Sequence, residues 1–143
     1  MRLAIEASRQ ALAAGDNPFG ATLVSAAGEV LCTARNNQNT TRDCTGHAEL
    51  VLVREASAQW GPEALRGATV FASGEPCAMC SGAMFWAGIT RVVYAANQMD
   101  IAQALGGPSL TASCEDVLSH AQPPVAVQGA LLRAEAAAAL RGG

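Results

Sequence analysis

Hydrophobic and polar positions switch between two spacings along the chain, and this switching predicts alternating helices and strands. An amphipathic spacing covers residues 3–14, and the turn-forming segment 15–18 ends it. Short apolar runs predict strands at residues 21–24, 30–33, 68–72, 91–95 and 125–127. Further helices are predicted at residues 47–58, 77–87 and 131–140, with another beginning near Ser113. The first two strands should form a hairpin through Ala27-Gly28, and residues 36–45 should be a polar loop. The alternation indicates an α/β fold with a partly parallel sheet.

Composition narrows the class of protein. The chain has 143 residues, of which 50% are hydrophobic and 15% charged, and no low-complexity tract interrupts it. We therefore expect one globular domain over residues 1–143. No apolar run approaches the ~20 residues that a membrane span requires, and the N-terminus lacks the apolar centre of a signal peptide. These features predict a cytoplasmic protein without a membrane partner.

Charge and cysteine content bear on partners and on metal binding. The formal net charge is −3, and Arg is the sole strongly basic residue type, because the chain contains no Lys. The nine Arg are scattered rather than clustered, which argues against a nucleic-acid partner. Five cysteines are an odd number, so reduced thiols and a metal site are favoured over a disulfide framework.

Two short motifs carry the candidate chemistry: His47-Ala48-Glu49, and Cys77 with Cys80 directly after Pro76. One imidazole and two thiolates are ligands that suit Zn²⁺, and three protein ligands leave a fourth position for water, as in catalytic zinc sites. Cys77 and Cys80 are spaced to lie on one face of a helix that begins after Pro76. The combination H-x-E…P-C-x-x-C is the signature of zinc-dependent nucleobase deaminases.

The role expected for Glu49 follows from the reaction. Zinc lowers the pKa of a bound water from about 15.7 to about 7, which provides hydroxide to attack a ring carbon that bears an amino group. The adjacent ring nitrogen and the leaving amine must each receive a proton. Glu49 is not needed as a ligand, so it is the predicted catalytic proton shuttle.

The cysteines allow two other interpretations. A C-x-x-C pair alone is often a redox pair or half of a structural zinc site. Cys44, three residues before His47, is a candidate fourth ligand that would close the site. That alternative would leave Glu49 without a role.

At these residues the chain resembles the cytidine deaminase superfamily, in the branch of guanine deaminases, tRNA adenosine deaminases and fungal-type cytosine deaminases. The resemblance extends from Asn17-Pro18-Phe19-Gly20 to Val92-Val93-Tyr94-Ala95-Ala96. It implies a three-layer α/β/α sandwich around a five-stranded mixed sheet and one catalytic zinc per subunit. It also implies a homodimer or larger assembly with active sites near the subunit contacts.

Within this branch the chain is most similar to bacterial guanine deaminases. That similarity implies a substrate hydrogen bond from Asn36, stacking of Phe19 on the ring, and further substrate contacts at Ala48 and Glu75. A turn-forming role for Asn36 and core packing for Phe19 are the alternatives, and Glu75 has a second possible role in orienting its loop. Trp86 is expected to pack or to join an interface.

The chain also departs from the guanine deaminase pattern. The segment at residues 105–108 is Leu-Gly-Gly-Pro and lacks the acids with which these enzymes read the purine edge. The usual Asp-Pro-Thr-Ala-His is replaced by residues 43–47, Asp-Cys-Thr-Gly-His, and the segment at residues 133–143 lacks an aromatic residue.

We therefore expect hydrolytic deamination of a small free base, with guanine or a related purine or triazine first. Cytosine or a nucleoside is the nearest alternative substrate, and a tRNA adenosine follows. A structural zinc module that only binds partners is the non-enzymatic alternative.

Overall fold

A computed structural model describes all residues, 1–143, and its elements follow the predicted alternation closely. The strands are β1 (Gly20–Val24), β2 (Val30–Arg35), β3 (Thr69–Gly74), β4 (Arg91–Ala96) and β5 (Ala126–Gln128). The helices are α1 (Arg2–Ala13), α2 (Gln38–Thr41), α3 (Ala48–Trp60), α4 (Ala78–Ala87), α5 (Gln98–Leu105), α6 (Cys114–Leu118) and α7 (Arg133–Leu140). A short 3₁₀ turn at Pro62–Ala64 precedes β3. None of the helices is long and apolar enough to span a membrane.

The five strands form one mixed sheet in the order β2-β1-β3-β4-β5. β1 pairs antiparallel with both β2 and β3, and the β1–β2 hairpin is the one predicted from the sequence. β3, β4 and β5 run parallel, with Val70 opposite Val92 and Val92 opposite Val127. This arrangement confirms the five-stranded mixed α/β sheet expected from the resemblance.

Helices cover both faces of the sheet and make the three-layer sandwich. α1 and α7 pack on one face, where α5 contacts α7, whereas on the other face α4 contacts both α3 and α6. The larger apolar core lies under α3 and α4, with Leu23, Leu52 and Met84 fully buried. The smaller core under α1 and α7 is built from Ile5, Leu140 and several alanines.

Small residues allow α1 to lie very close to the sheet. A Cβ placed on Gly20, at the start of β1, would overlap the carbonyl oxygen of Ala4 and lie 2.7 Å from the Ala7 Cβ. Such contacts are steric clashes, so only glycine fits there. This close packing sets the position of the α1–β1 turn, which reaches the candidate site.

The structure differs from the sequence prediction in two elements. Residues 36–45, expected to be a loop, contain α2, whose backbone N–H groups at Asn39 and Thr40 are bound by the distant Asp16 carboxylate. The second difference is α5, which was not predicted although its capping box is visible in the sequence. Asn97 accepts from the Asp100 N–H at 2.9 Å, and the Asp100 carboxylate accepts from the Asn97 N–H at 3.0 Å.

Candidate active site

The predicted metal ligands lie at the N-termini of two adjacent helices. His47 and Cys77 are the capping residues immediately before α3 and α4, each with extended backbone, and Cys80 lies in the first turn of α4. Because α3 and α4 pack side by side, their N-termini meet at one end of the sheet. Cys77 therefore stands just outside the helix, rather than on its face as the spacing predicted.

The geometry of the three ligands suits tetrahedral zinc. The Nδ1 atom of His47 lies 3.5 Å from the Sγ of Cys77 and 3.5 Å from the Sγ of Cys80. With Zn–N near 2.05 Å and Zn–S near 2.3 Å, a tetrahedral angle requires an N–S separation of about 3.6 Å. All three ligand atoms lie within 4.8 Å of one another. His47, Cys77 and Cys80 are thus placed to bind one metal ion.

The electrostatics of the ligands favour a thiolate at the helix end. Hydrogen bonding from the Cys80 thiol lowers the pKa of Cys77 to about 4, and the contact with His47 adds to this effect against the opposing influence of burial. The same thiol pair raises the pKa of Cys80, together with burial. The hydrogen bond with Cys77 raises the pKa of His47. Metal binding displaces protons from its ligands. A cluster of side chains that share protons in this way is therefore suited to bind a cation in their place.

Glu49 lies in the first turn of α3 and is only 5% exposed. Burial raises the pKa of its carboxyl above the ordinary value, and the neighbouring Cys80 thiol partly opposes the shift. Glu49 is absent from the group of atoms that could share one ion, yet it lines the same cavity as His47 and Cys77. A buried carboxyl with a raised pKa beside a metal site has the properties of a general acid and base.

Cys44 does not join the ligand group. Its residue is exposed, and the potential ligand cluster consists of His47, Cys77 and Cys80. Three protein ligands would leave one position of a tetrahedral zinc ion for water, as in catalytic rather than structural zinc sites.

A cavity of about 400 Å³ opens in front of these residues. We call the part lined by His47, Glu49 and Cys77 the inner wall, and the part lined by α5, the segment that follows it and the amides of Asn17, Asn36 and Gln38 the outer wall. Besides the residues of the inner wall, those that line the cavity are Asn17, Phe19, Asn36, Gln38, Glu75, Gln98, Ile101, Ala102, Leu105, Gly106, Gly107, Pro108, Ser109 and Leu110. This volume falls within the range of small-molecule sites.

Phe19 and Asn36 both line the cavity, and their contacts with substrate stay a prediction. A Cβ on Gly74 would lie 2.8 Å from the Phe19 ring, so the absence of a side chain at the end of β3 makes room for that ring. Asn36 is 1% exposed. Its Oδ1 accepts from the Gln38 N–H at 3.0 Å, and its Nδ2 donates to the Gln38 Oε1 at 2.7 Å. Asn36 thus makes the turn-forming hydrogen bond and also lines the cavity.

Glu75 connects the site to the outer wall of the cavity. Its carboxylate accepts from the backbone N–H of Gln98 and of Cys114, each at 3.3 Å. Burial raises the pKa of Glu75, and these two hydrogen bonds partly offset that effect. Glu75 therefore orients the beginnings of α5 and α6 while lining the cavity.

Ala48 is fully buried in the larger core, and its residue is not among those that line the cavity. As the first residue of α3 it has a backbone N–H that the helix does not use. A substrate contact at Ala48 stays a prediction.

The sequence did not identify several lining residues. Asn17, Gln38, Gln98 and Ile101 were missed, and they reach the cavity through the α1–β1 turn, α2 and α5. The segment 105–108, expected to face the substrate, does line the cavity and presents no acid there. The only carboxylates at the cavity are those of Glu49 and Glu75.

Comparison with known proteins agrees with this geometry. Residues 1–96 match the model of the family described as the cytidine and deoxycytidylate deaminase zinc-binding region. A probable cytosine deaminase of Schizosaccharomyces pombe is 36% identical over 140 residues, which are 95% of this chain and 85% of that protein. A tRNA(Ile)-lysidine synthase of Deinococcus deserti is 37% identical over 96% of this chain, which spans only 25% of that protein.

Other similar proteins and solved structures are named for different deaminases. The guanine deaminase from Nitrosomonas europaea superposes with a TM-score of 0.80 at 26% identity, covering 96% of this chain and 79% of that one. The Bacillus subtilis proteins named guanine deaminase and tRNA-specific adenosine deaminase are 40% and 36% identical over 61% and 67% of this chain. The chain spans 55% and 59% of their lengths.

The three-layer fold, the zinc ligands and the matching family model together define a zinc-binding deaminase domain. This chain belongs to the cytidine and deoxycytidylate deaminase family.

Proposed function

We propose that this protein hydrolytically deaminates a small free nucleobase, with guanine or a related purine or triazine as the first candidate. The observation that carries the proposal is the buried Glu49 carboxyl beside a three-ligand cluster that faces a cavity of about 400 Å³. A structural zinc module would need neither the carboxyl nor the cavity.

His47, Cys77 and Cys80 are the residues that would hold the zinc ion. Zinc bound there supplies a water molecule of lowered pKa, so that a nucleophile is present at neutral pH. The N-terminal ends of α3 and α4 favour negative charge at this position, which stabilises both thiolates.

Glu49 would carry the protons of the reaction. Its carboxylate takes a proton from the attacking water and delivers it to the ring nitrogen adjacent to the carbon under attack. The carboxylate then takes the proton of the hydroxyl now bonded to the ring carbon and passes it to the exocyclic amine; the C–N bond breaks as the carbonyl forms, and the amine leaves as ammonia. The raised pKa of Glu49 brings it closer to the working pH, where one group can both donate and accept.

Phe19 and Asn36 would position the base. The Phe19 ring borders the cavity between β3 and α5, and an aromatic face suits a flat heterocycle. Asn36 offers both a donor and an acceptor from a buried, fixed position. A related solved structure contains 8-azaguanine; it has a TM-score of 0.81, 26% identity, and covers 96% of this chain and 78% of that one.

Ammonia release by the zinc-loaded protein from a panel of substrates tests the proposal. The panel contains guanine, 8-azaguanine, ammeline, cytosine, adenine, their nucleosides and a tRNA anticodon hairpin. We expect turnover of at least one free purine or triazine. Turnover of the hairpin, with none of the free bases or nucleosides, would overturn the proposal.

Cytosine is the second candidate substrate. The Schizosaccharomyces pombe relative named probable cytosine deaminase is matched over 85% of its length. The absence of acids in the segment 105–108, where a purine edge is expected, also favours a base with fewer edge donors. A higher kcat/KM for cytosine than for guanine would select this candidate.

The homodimer implied by the resemblance is a proposal for this chain. Trp86 is 83% exposed on α4, and Met79, two helical turns earlier on the same face, is also exposed. Exposed apolar patches of this kind mark interaction sites, and a second copy of the chain is the expected partner. Light scattering after size exclusion should give a dimer for the wild type and a monomer for Trp86→Glu.

A further inference from the structure

Three side-chain amides form a hydrogen-bonded network at the part of the cavity where Asn36 is predicted to contact the substrate. Its members are Asn17 from the α1–β1 turn, Asn36 after β2, and Gln38 at the start of α2. The Gln38 Oε1 accepts from the Asn36 Nδ2 at 2.7 Å and from the Asn17 Nδ2 at 3.0 Å. All three residues line the cavity, and a single oxygen atom therefore holds two asparagine amides.

Two backbone groups with fixed roles determine which way these amides point. The Gln38 N–H can only donate, so the atom of Asn36 that faces it at 3.0 Å is oxygen. The Cys44 carbonyl can only accept, so the Gln38 atom that faces it at 3.3 Å is Nε2. The Gln38 oxygen must then face both asparagines. Each assignment is required by a different backbone group, and the two agree.

The same logic orients Asn17. Because its Nδ2 is turned toward the Gln38 Oε1, its Oδ1 points away from the network and has no protein hydrogen-bond partner. No buried side-chain oxygen or nitrogen in the protein lacks a partner, so this Oδ1 is accessible rather than enclosed. An accessible, oriented acceptor at a cavity wall is suited to bind an N–H of a ligand.

Gln38 itself is held by contacts from a distant part of the chain. The Asp16 carboxylate accepts from the N–H groups of Asn39 and Thr40 at 2.9 Å each, and from the Thr40 hydroxyl at 3.0 Å. The Asn37 N–H donates to the Gly46 carbonyl at 3.0 Å, one residue before the ligand His47. The start of α2 is therefore fixed both to the α1–β1 turn and to the metal-binding segment.

We propose that Gln38 is a positioning residue that fixes the amides of Asn36 and Asn17, and that Asn17 thereby becomes a specificity determinant that accepts a ring N–H of the substrate. The inference rests on the proposed function. It assigns the substrate class more narrowly, as a neutral ring with a free N–H, because an oriented oxygen rejects a ring that is methylated at that nitrogen.

Variants at Gln38 test the positioning role. Gln38→Met keeps the length of the side chain but removes the shared oxygen, so KM for the base turned over by the wild type should rise about tenfold, with kcat within about twofold. Gln38→Glu retains an acceptor for both asparagines but loses the donor to the Cys44 carbonyl, so it should restore part of the lost affinity. Gln103→Met, on the exposed side of α5 and away from the cavity, is the matched control and should behave as wild type. Zinc content should be equal in all four proteins.

A measurement without turnover supplements the kinetics. The side-chain ¹⁵N–¹H signals of Asn36 and Asn17 should be well dispersed and slow to exchange in the wild type. They should become averaged in Gln38→Met, and stay dispersed in Gln103→Met. If Gln38→Met does not fold, the comparison of Gln38→Glu with wild type in the same spectrum decides: loss of both ordered asparagine signals there would overturn the positioning role.

Asn17→Leu tests the specificity role. Wild type should prefer the free base over its ring-N-methylated analogues by about tenfold or more in kcat/KM, and Asn17→Leu should lose most of that preference against one analogue. An unchanged KM in Gln38→Met, or an unchanged preference in Asn17→Leu, overturns the inference while deamination by the wild type stands. Absence of turnover and of 8-azaguanine binding by the zinc-loaded wild type would instead overturn the proposed function, and the inference with it.

Discussion

The inner and outer walls of the cavity are built in different ways. The inner wall, defined by His47, Glu49 and Cys77, comes from two short motifs at the starts of α3 and α4. The outer wall, defined by the amide network and α5, assembles from segments that are far apart in the chain. Local backbone geometry thus fixes the candidate chemistry, whereas tertiary contacts fix the candidate selectivity. Changes to the inner wall should abolish the reaction, and changes to the outer wall should redirect it.

Removal of a metal ligand should have the largest effect. Cys80 is fully buried between Cys77 and His47, and Cys80→Ser replaces a thiolate by a poor zinc ligand. We expect loss of bound zinc by elemental analysis and activity below detection. Cys44→Ser is the matched control: it alters an exposed cysteine outside the ligand group and should retain full zinc and activity. Zinc loss in the control instead would mean that Cys44 is a ligand.

Loss of the predicted proton shuttle should come next. Glu49→Gln keeps the shape of the side chain and removes its ability to move protons, so kcat should fall by ~10²- to 10⁴-fold. Zinc content should not change, because Glu49 lies outside the ligand group. Activity within tenfold of wild type would place the proton transfer on another group. Glu75→Gln, at the junction of the two walls, provides a comparison in which KM should change more than kcat.

A change confined to the outer wall should alter selectivity. Ile101 lines the cavity from α5, and Ile101→Ala enlarges it on the side away from the ligands. We expect a shift of about tenfold in the kcat/KM ratio between a purine and a pyrimidine, as is typical for a few methylene groups in an apolar pocket. Zinc content should be unchanged. A large fall in kcat for every base would show that the two walls are not separable.

The smallest effect should come from the support behind the outer wall. Burial raises the pKa of Asp16, but hydrogen bonds from Thr40 and Asn39 lower it more, and the net shift is downward. A depressed folded-state pKa means that Asp16 contributes stability above the ordinary Asp pKa, near 3.9, and loses it as pH falls through the folded value.

Asp16→Asn should therefore lower Tm by a few degrees at pH 6 and have a smaller effect in acid, below the folded pKa. Thermal melts across this pH range measure the difference. KM should rise slightly, since α2 carries Gln38. A Tm difference that grows as pH falls would contradict the assigned role.

The same division explains what the sequence could predict. The ligand set, Glu49, the mixed sheet and most helix boundaries follow from local patterns, such as Pro76 before α4 and Gly88 at its left-handed end. The sequence also contains the signal that predicts α5, because Asn97 and Asp100 form a capping box. The role of Gln38 could not be predicted from the sequence, because it depends on contacts with Asn17 and Cys44. Asp16, also distant in the chain, holds the start of α2 that carries Gln38.

One missing side chain has a consequence for how such a pocket can diversify. Phe19 occupies the space that a Cβ on Gly74 would fill, and Ile101 approaches the same point at 3.2 Å. The space available to a flat ring beside Phe19 therefore depends on Gly74, a buried residue of β3. An alanine at this position would displace the Phe19 ring and so change which flat rings fit, without any substitution at the metal ligands, at Glu49 or at Phe19 itself.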